Sequence, residues 1–255
     1  MDVALIIHYV WACLLAVGPI LGYIPQYFDI KKTRNYQGFS PVICFILLTS
    51  NILRILSFIL TPFDVFLLAQ SIFMVLVQLL VLQIIVKYSA REILPASSPM
   101  PSSSDEKKNY FESFWAWNSF LDYLIFLFCF TSFFALIVLF DKFVYSSKFI
   151  EITFLYTSTL IESTLCMPQV LTNWRNGSTA GLHKSLVVSW IFGDLFKLCY
   201  YLYSKSRMPF VVCAIIQISV DFIIIIQILY YHFKVKLSKE EISRASSTVP
   251  LKDSK

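Results

Sequence analysis

Six polar or charged residues interrupt apolar stretches of the chain: Asn51, Arg54, Glu162, Asp194, Lys197 and Asp221. A charged side chain inside a membrane-spanning helix costs about 2.5–3.5 kcal/mol on insertion scales, so it persists where it is paired or lines a polar path. Asn51 and Arg54 lie one helical turn apart, and Asp194 and Lys197 repeat that spacing. This spacing predicts a local Asp194–Lys197 pair and a polar track suited to a headgroup, a solute or a proton.

Arg54 needs an acidic partner from another helix, because no Asp or Glu lies within its own apolar stretch. Asp221 is the first candidate, since it falls midway along an apolar stretch as Arg54 does, and Glu162 is the second. An alternative is that these charges form buried ion pairs that only fix the packing of the helices. Because buried ion pairs stabilise proteins poorly, the transport interpretation competes with this one.

Two Pro-Gln pairs, Pro25-Gln26 and Pro168-Gln169, lie near the ends of apolar stretches. Proline removes one N–H from a helix and frees a carbonyl, which lipid cannot satisfy. A glutamine side chain can donate to that carbonyl, so each pair predicts a polar kink that can bend. One such motif could simply end a helix. Two motifs at matched positions favour a pair of hinges that open a central cavity alternately to each side.

Motifs for enzymatic chemistry are absent from the sequence. It has no Walker motif, no glycine-rich nucleotide loop and no paired histidines. Its six cysteines are scattered through apolar stretches and are not grouped as zinc ligands are. We therefore expect no catalytic residue, no metal and no cofactor, and any transport to be passive, exchange or ion-coupled. Basic residues lie in short gaps between apolar stretches, which argues against nucleic-acid binding.

The elements that position these residues are membrane-spanning helices. Of the 255 residues, 57% are hydrophobic and only 15% are charged, against about 25% charged in soluble domains. A helix needs about 20 apolar residues to cross a bilayer. Seven stretches reach this length, at roughly 5–24, 41–60, 65–86, 119–140, 149–168, 185–203 and 209–231.

Lysine and arginine are distributed unequally between the two sides of this arrangement. Fifteen lie on the side of the C-terminus, and four lie on the other side: Lys142, Lys148, Lys205 and Arg207. The positive-inside rule therefore predicts a cytosolic C-terminus and a luminal N-terminus. The glycosylation sequon at Asn176 falls on the cytosolic side, so it is expected to stay unmodified.

The chain also matches itself at a fixed shift. Moving it by 143 residues places Pro168 on Pro25, Asp194 on Asn51, Lys197 on Arg54 and Asp221 on Gln78. Four spans separate equivalent points, so the two repeats run parallel. The predicted fold is an all-α integral membrane protein with seven transmembrane helices, two parallel three-helix repeats and a linker helix between them. Its parts are a first repeat at 5–86, a cytosolic Pro/Ser-rich loop at 87–118, a linker helix at 119–140, a second repeat at 149–231 and a cytosolic tail at 232–255.

At these positions the chain resembles the PQ-loop family, which is related to the SWEET sugar transporters and the KDEL receptors. The resemblance rests on the two Pro-Gln pairs, each followed in the next loop by Gly38-Phe39 or Gly181-Leu182. Further motifs are similar to the subgroup that includes the yeast PQ-loop protein antagonising phospholipid flippases and its animal counterpart. They are Tyr23-Ile-Pro-Gln-Tyr27, Asn51-Ile-Leu-Arg-Ile-Leu56 and Phe114-Trp-Ala-Trp117.

This resemblance implies a protein of Golgi and endosome membranes that controls the transbilayer distribution of phospholipids, as a scramblase or as a flippase antagonist, with a role in trafficking. Two alternatives stay open. One is a proton-coupled exporter of an amino acid or other small solute from the vacuole or lysosome, with Glu162 or Asp221 carrying the proton. The other is a receptor or flippase-binding regulator that does not transport. The implied partners are membrane lipids, phospholipid flippases, or a solute and protons, and not nucleic acid.

Overall fold

The structure is a computed structural model that describes residues 3–34, 41–92, 115, 117, 119–175, 177–179 and 184–247. Four sequence features lie outside these residues. They are the Gly38 and Gly181 motifs, most of the Pro/Ser-rich loop, the sequon asparagine Asn176 and the end of the tail.

Every regular element in the described part of the chain is helical. The elements are α1 (Val3–Leu21), α2 (Tyr23–Thr33), α3 (Pro41–Leu60), α4 (Val65–Glu92), α5 (Phe120–Phe140), a π-helical turn (Asp141–Tyr145), α6 (Lys148–Ser163), α7 (Met167–Arg175), α8 (Lys184–Tyr203) and α9 (Met208–Ser247). Several helices run past the apolar stretches predicted from the sequence, most of all α9, which was expected to end near 231. Hydropathy marks only the apolar part of a helix, whereas its backbone hydrogen bonds continue into polar residues.

Five helical stretches among the described residues are long and apolar enough to cross a membrane. They are Tyr9–Thr33, Pro41–Leu60, Val65–Tyr88, Phe120–Tyr145 and Met208–Lys234. The other two predicted spans are helical as well. The fifth is divided between α6, which has 16 residues, and α7, while the sixth corresponds to α8, whose start borders undescribed residues.

The helices form two parallel three-helix repeats with the same packing. In the first repeat α4 packs against α1, α2 and α3, and in the second repeat α9 packs against α6, α7 and α8. The last helix of each repeat therefore lies between the other two spans. The repeats meet where α3 packs along α6 and where α1 contacts α8. These two interfaces are equivalent under the repeat, since α1 corresponds to α6 and α3 corresponds to α8.

The linker helix α5 packs on the first repeat, against α3 and α4, through an aromatic cluster. Trp115 is only 1% exposed, and its ring packs against Phe45, Trp117 and Tyr123. The Tyr123 hydroxyl accepts from the backbone N–H of Trp117 and donates to the carbonyl of Trp115. The ring of Trp115 therefore lies between the helices and not on the outside of the bundle.

Both Pro-Gln pairs follow a break in the helix that carries them. The first break is at Gly22, between α1 and α2, and the second is at 164–166, between α6 and α7. Pro25 and Pro168 lie in the first turn of the helix after the break. The residue four positions before each proline, whose carbonyl a proline cannot bind, is Leu21 at the end of α1 and Thr164 in the second break. The sequence placed Pro25 at the end of a span, whereas the chain continues beyond it as α2.

Candidate functional site

A buried network of charged side chains lies where the two repeats meet. Arg54 of α3 donates through Nη2 to Oε2 of Glu162 on α6, so this ion pair joins the first repeat to the second. Lys197 Nζ of α8 lies 3.7 Å from Glu162 Oε1 and 3.1 Å from Asp194 Oδ1. The four side chains form one series of alternating charges across α3, α6 and α8. We call this series, together with Asp221, the charge network.

Helix packing buries most of the charge network, and the Lys197 side chain is its most exposed member, at 12%. Arg54 is 2% exposed, and Glu162 and Asp194 are 8% and 6% exposed. The Arg54 guanidinium carbon also lies 5.6 Å from the ring centre of Phe210 on α9, which is a cation–π distance. A headgroup or solute can therefore reach these charges only when the helices that cover them move apart.

Asp221 extends the charge network to α9 without joining an ion pair. Its side chain is fully buried, and neither carboxylate oxygen has a hydrogen-bond partner among the described residues. It interacts electrostatically with Asp194 and Cys166. The network holds two cations and three carboxyl groups, so it carries one excess negative charge when every group is ionised. One proton on the Asp194–Asp221 pair would make it neutral.

The structure corrects one predicted pairing. The sequence favoured Asp221 as the partner of Arg54 and placed Glu162 second, but Arg54 binds Glu162. The reason is that α6 packs along α3, whereas α9 packs mainly against α6, α7 and α8. Similar depth in the membrane therefore does not bring Asp221 to Arg54. The predicted local pair between Asp194 and Lys197 is confirmed.

Asn51 is buried but is satisfied within its own helix. Its Nδ2 donates to the carbonyl of Leu47 at 2.8 Å. The equivalent residue of the second repeat, Asp194, pairs with Lys197 instead. The same position therefore carries a locally bonded amide in one repeat and a charge of the network in the other.

The glutamine of the second Pro-Gln pair belongs to a separate hydrogen-bonded series. Gln169 Nε2 donates to Asn173 Oδ1 at 2.8 Å, and Asn173 Nδ2 donates to Gln227 Oε1 at 3.0 Å. Gln169 thus does not donate to the carbonyl freed by Pro168, as the sequence had suggested, but helps to tie α7 to α9. Asn173 and Gln227 were not predicted. The signal that could have found Gln227 is its polar side chain within the last apolar stretch.

Hydrogen bonds also join the repeats where the α3–α4 loop meets the α8–α9 loop. The Tyr200 hydroxyl donates to Asp64 Oδ2, and Arg207 Nη2 donates to the carbonyl of Pro62 at 3.1 Å. These contacts hold the two loops together at the end of the bundle that the positive-inside rule assigns to the lumen. These contacts could not be predicted from the sequence, because both loops are short and their partners come from the opposite repeat.

Comparison with known proteins agrees with this architecture. Residues 8–67 and 150–210 match the family described as PQ loop repeat, and each match contains one Pro-Gln pair. The chain is 24% identical to Scramblase ANY1 of Saccharomyces cerevisiae over 282 aligned residues, which cover 86% of this chain and 70% of that protein. No solved structure matches the chain. The resemblance predicted from the sequence is confirmed: this is a membrane protein that carries two PQ-loop repeats.

Proposed function

We propose that this protein lets phospholipids cross between the two leaflets of a membrane without ATP, as a scramblase. The observation that carries the proposal is the charge network at the interface of the two repeats. Charges at membrane depth are costly, and they persist where they pair or line a polar path. A lipid headgroup needs such a path while its acyl chains stay in the bilayer. The similarity to the yeast protein named a scramblase supports the same activity.

In this proposal the ion pair between Arg54 and Glu162 closes the path, and the two helix breaks open it. Movement at Gly22 and at 164–166 would separate α3 from α6 and expose both charges to a headgroup. The phosphate would then bind the Arg54 guanidinium, whose planar set of donors suits that anion. The repeats at 5–86 and 149–231 are the moving bodies, and the helix at 119–140 joins them.

The proposed setting is a Golgi or endosome membrane, with the N-terminus in the lumen and the C-terminus in the cytosol. Membrane lipids are the substrates, and phospholipid flippases are the functional opponents, because a scramblase dissipates the asymmetry that flippases build. No step of this activity makes or breaks a covalent bond, so the protein acts as a transporter and not as an enzyme.

Reconstitution tests the proposal directly. Purified protein is incorporated into liposomes that contain a fluorescent phospholipid, and dithionite is added to quench the outer leaflet. A scramblase makes the inner-leaflet lipid accessible within minutes and without nucleotide. Fluorescence that stops at the protein-free plateau would overturn the proposal. A double variant, Arg54→Leu with Glu162→Leu, should insert normally but scramble slowly, because it removes the polar path without leaving a charge unpaired.

Proton-coupled export of a small solute is the second candidate, and Asp221 is the observation that favours it. This acid is fully buried, lacks a hydrogen-bond partner among the described residues, and interacts with Asp194, so it can take up a proton during transport. The same liposomes, given a pH gradient and labelled amino acids, test this candidate. Uptake without lipid movement would assign the solute function, and activity in neither assay would favour a receptor or flippase-binding regulator.

A further inference from the structure

A second polar site lies away from the charge network, in a cavity of about 160 Å³. The cavity sits between the α3–α4 loop and the α8–α9 loop. A cavity of this size can hold a small molecule or chemical group, and its polar lining suits a polar one. The shift of 143 residues that relates the two repeats also aligns these two loops. It places Arg207 on Asp64, so the aligned side chains have opposite charges.

One side of the cavity is built to hold an anion. Lys205 and Arg207 line it, together with the hydroxyls of Ser204 and Ser206, whose oxygens lie 2.7 Å apart. The ion pairs found among the described residues do not include either cation. The sequence has only four basic residues on this side of the membrane, and two of them line this one cavity. Lys205, the N–H groups of Arg207 that do not bind Pro62, and the one hydroxyl proton that the Ser204–Ser206 bond leaves free together suit a phosphate group.

The other side of the cavity carries a fixed negative charge. Asp64 accepts from the Tyr200 hydroxyl and, through Oδ1, from the backbone N–H of Phe66 at 3.0 Å. These two bonds orient the carboxylate, which forms no ion pair with Lys205 or Arg207 although all three line the same cavity. The cavity therefore presents separated positive and negative groups, an arrangement complementary to a ligand that has a phosphate and an ammonium.

An apolar wall connects this cavity to the charge network. Phe63, Leu67 and Phe210 line the cavity between its polar groups. The Phe210 ring centre also lies 5.6 Å from the Arg54 guanidinium carbon. One aromatic side chain therefore contacts both the cavity and the charge network.

We propose that this cavity is the site at which a zwitterionic phospholipid headgroup is received from the adjoining leaflet. Its phosphate binds Lys205 and Arg207, and its ammonium binds Asp64. This inference rests on the proposed scramblase function and names its substrate class. The carboxylate of Asp64 repels headgroups with a net negative charge, so zwitterionic lipids are moved faster than anionic glycerophospholipids.

Variants at the two cations test the phosphate half of the site. Lys205→Ala combined with Arg207→Ala should slow the scrambling of a labelled phosphatidylethanolamine or phosphatidylcholine by about tenfold or more, because one hydrogen bond to a charged group carries roughly that factor. The matched control is Lys142→Ala combined with Lys148→Ala. It removes two cations from the same side of the membrane, one of which also donates to a backbone carbonyl, as Arg207 does. The control should scramble at the wild-type rate.

Asp64→Asn tests the ammonium half. It keeps the shape of the side chain but removes its charge, so the preference for zwitterionic over anionic lipids should shrink while anionic lipids move faster. Thermal unfolding of each variant checks that the fold is kept. If every variant scrambles at the wild-type rate and with the wild-type preference, the headgroup site is overturned although scrambling stands.

Binding measured without transport separates this inference from the proposed function. Native mass spectrometry of the detergent-solubilised protein should detect more bound phosphatidylethanolamine than phosphatidylglycerol, and the Lys205→Ala, Arg207→Ala variant should lose that difference. This result would support the site even if the protein scrambled no lipid. A parallel titration with soluble glycerophosphoethanolamine distinguishes the source of the headgroup. Binding of the soluble compound without binding of the lipid would overturn the assignment to a membrane lipid.

Discussion

Arg54 and Glu162 contact each other across the boundary between the repeats. Among the residues that the structure describes, Glu162 has Lys197 as a second partner of opposite charge, and Arg54 has no other. An arginine cannot lose its proton inside a protein. The fate of Arg54 in any variant is therefore decided by whether a carboxylate remains beside it.

Glu162→Ala should lower protein abundance strongly, because a buried charge left without its partner costs about 3–5 kcal/mol. Adding Arg54→Leu to this variant should recover most of the loss. Abundance and the midpoint of thermal unfolding, measured for both single variants and the double variant, give the coupling energy. Asp221→Ala with Arg54→Leu is the matched control and should show additive effects, since Asp221 does not contact Arg54. Additivity in the Glu162 pair as well would mean that the two residues act independently.

Lys197→Ala should be more damaging than Asp194→Asn. Lys197 lies within 4 Å of two carboxylates, so its removal leaves Asp194 without a cation and Glu162 with Arg54 alone. Asp194→Asn removes one charge but leaves Lys197 beside Glu162, and the amide oxygen can still accept its hydrogen bond. Abundance in the membrane fraction compares the two variants. Equal losses would show that Lys197 does not bridge the two acids.

At the scale of the elements, the two helix breaks are the main departures from regular structure. In both repeats a proline in the first turn of the following helix cannot supply the N–H that the carbonyl four residues earlier, of Leu21 or Thr164, would accept in a continuous helix. Sharp bends in helices have few causes, and proline is the commonest. We interpret the breaks as hinges, since they occur at equivalent places on either side of the charge network.

Replacing both Pro25 and Pro168 by Ala should abolish transport while leaving insertion near normal. Each alanine restores an N–H for the carbonyl four residues earlier, so α1 and α2, and likewise α6 and α7, would join into stiffer helices. Scrambling rate and membrane abundance are the two measurements. Pro209→Ala is the matched control, because Pro209 also lies in the first turn of a helix, α9, but follows a loop and not a break. Full activity in the double variant would mean that the Pro-Gln pairs are structural only.

The helices, the repeat and the buried polar residues could be predicted from the sequence, but not every partner of those polar residues. Apolar length and the proline signal act locally, so they place α3, α4 and the breaks well. Depth along a helix is also readable from the sequence. Which helices pack against one another is not, and it is the packing of α6 along α3 that brings Glu162, and not Asp221, to Arg54. The sequence also does not show that Trp115 is buried, because a tryptophan beside an apolar stretch suits either an interface or a core.

For the whole molecule, the structure shows two similar bundles that pack through α3 against α6 and through α1 against α8. Specific polar contacts cross this interface. The ion pair between Arg54 and Glu162 links the bundles at the charge network, and the Tyr200–Asp64 and Arg207–Pro62 bonds link them at one end. Alternate opening of the two ends would therefore require these contacts to break in turn.

The orientation of the molecule in the membrane can be tested by glycosylation. A sequon engineered into 141–148 should be used, because this segment carries two of the four basic residues on the predicted luminal side. The natural sequon at Asn176 should stay bare. A mobility shift that disappears after glycosidase treatment is the measurement. Sugar on Asn176 would reverse the predicted topology.

The acids of the charge network all belong to the second repeat. Their counterparts in the first repeat have no charge: Pro19 for Glu162, Asn51 for Asp194 and Gln78 for Asp221. Two copies of the first repeat would thus bring two arginines together without a carboxylate, and two copies of the second would lack the arginine. The two repeats are therefore complementary and not interchangeable. Produced as two separate chains, each repeat should associate with the other repeat and not with a second copy of itself.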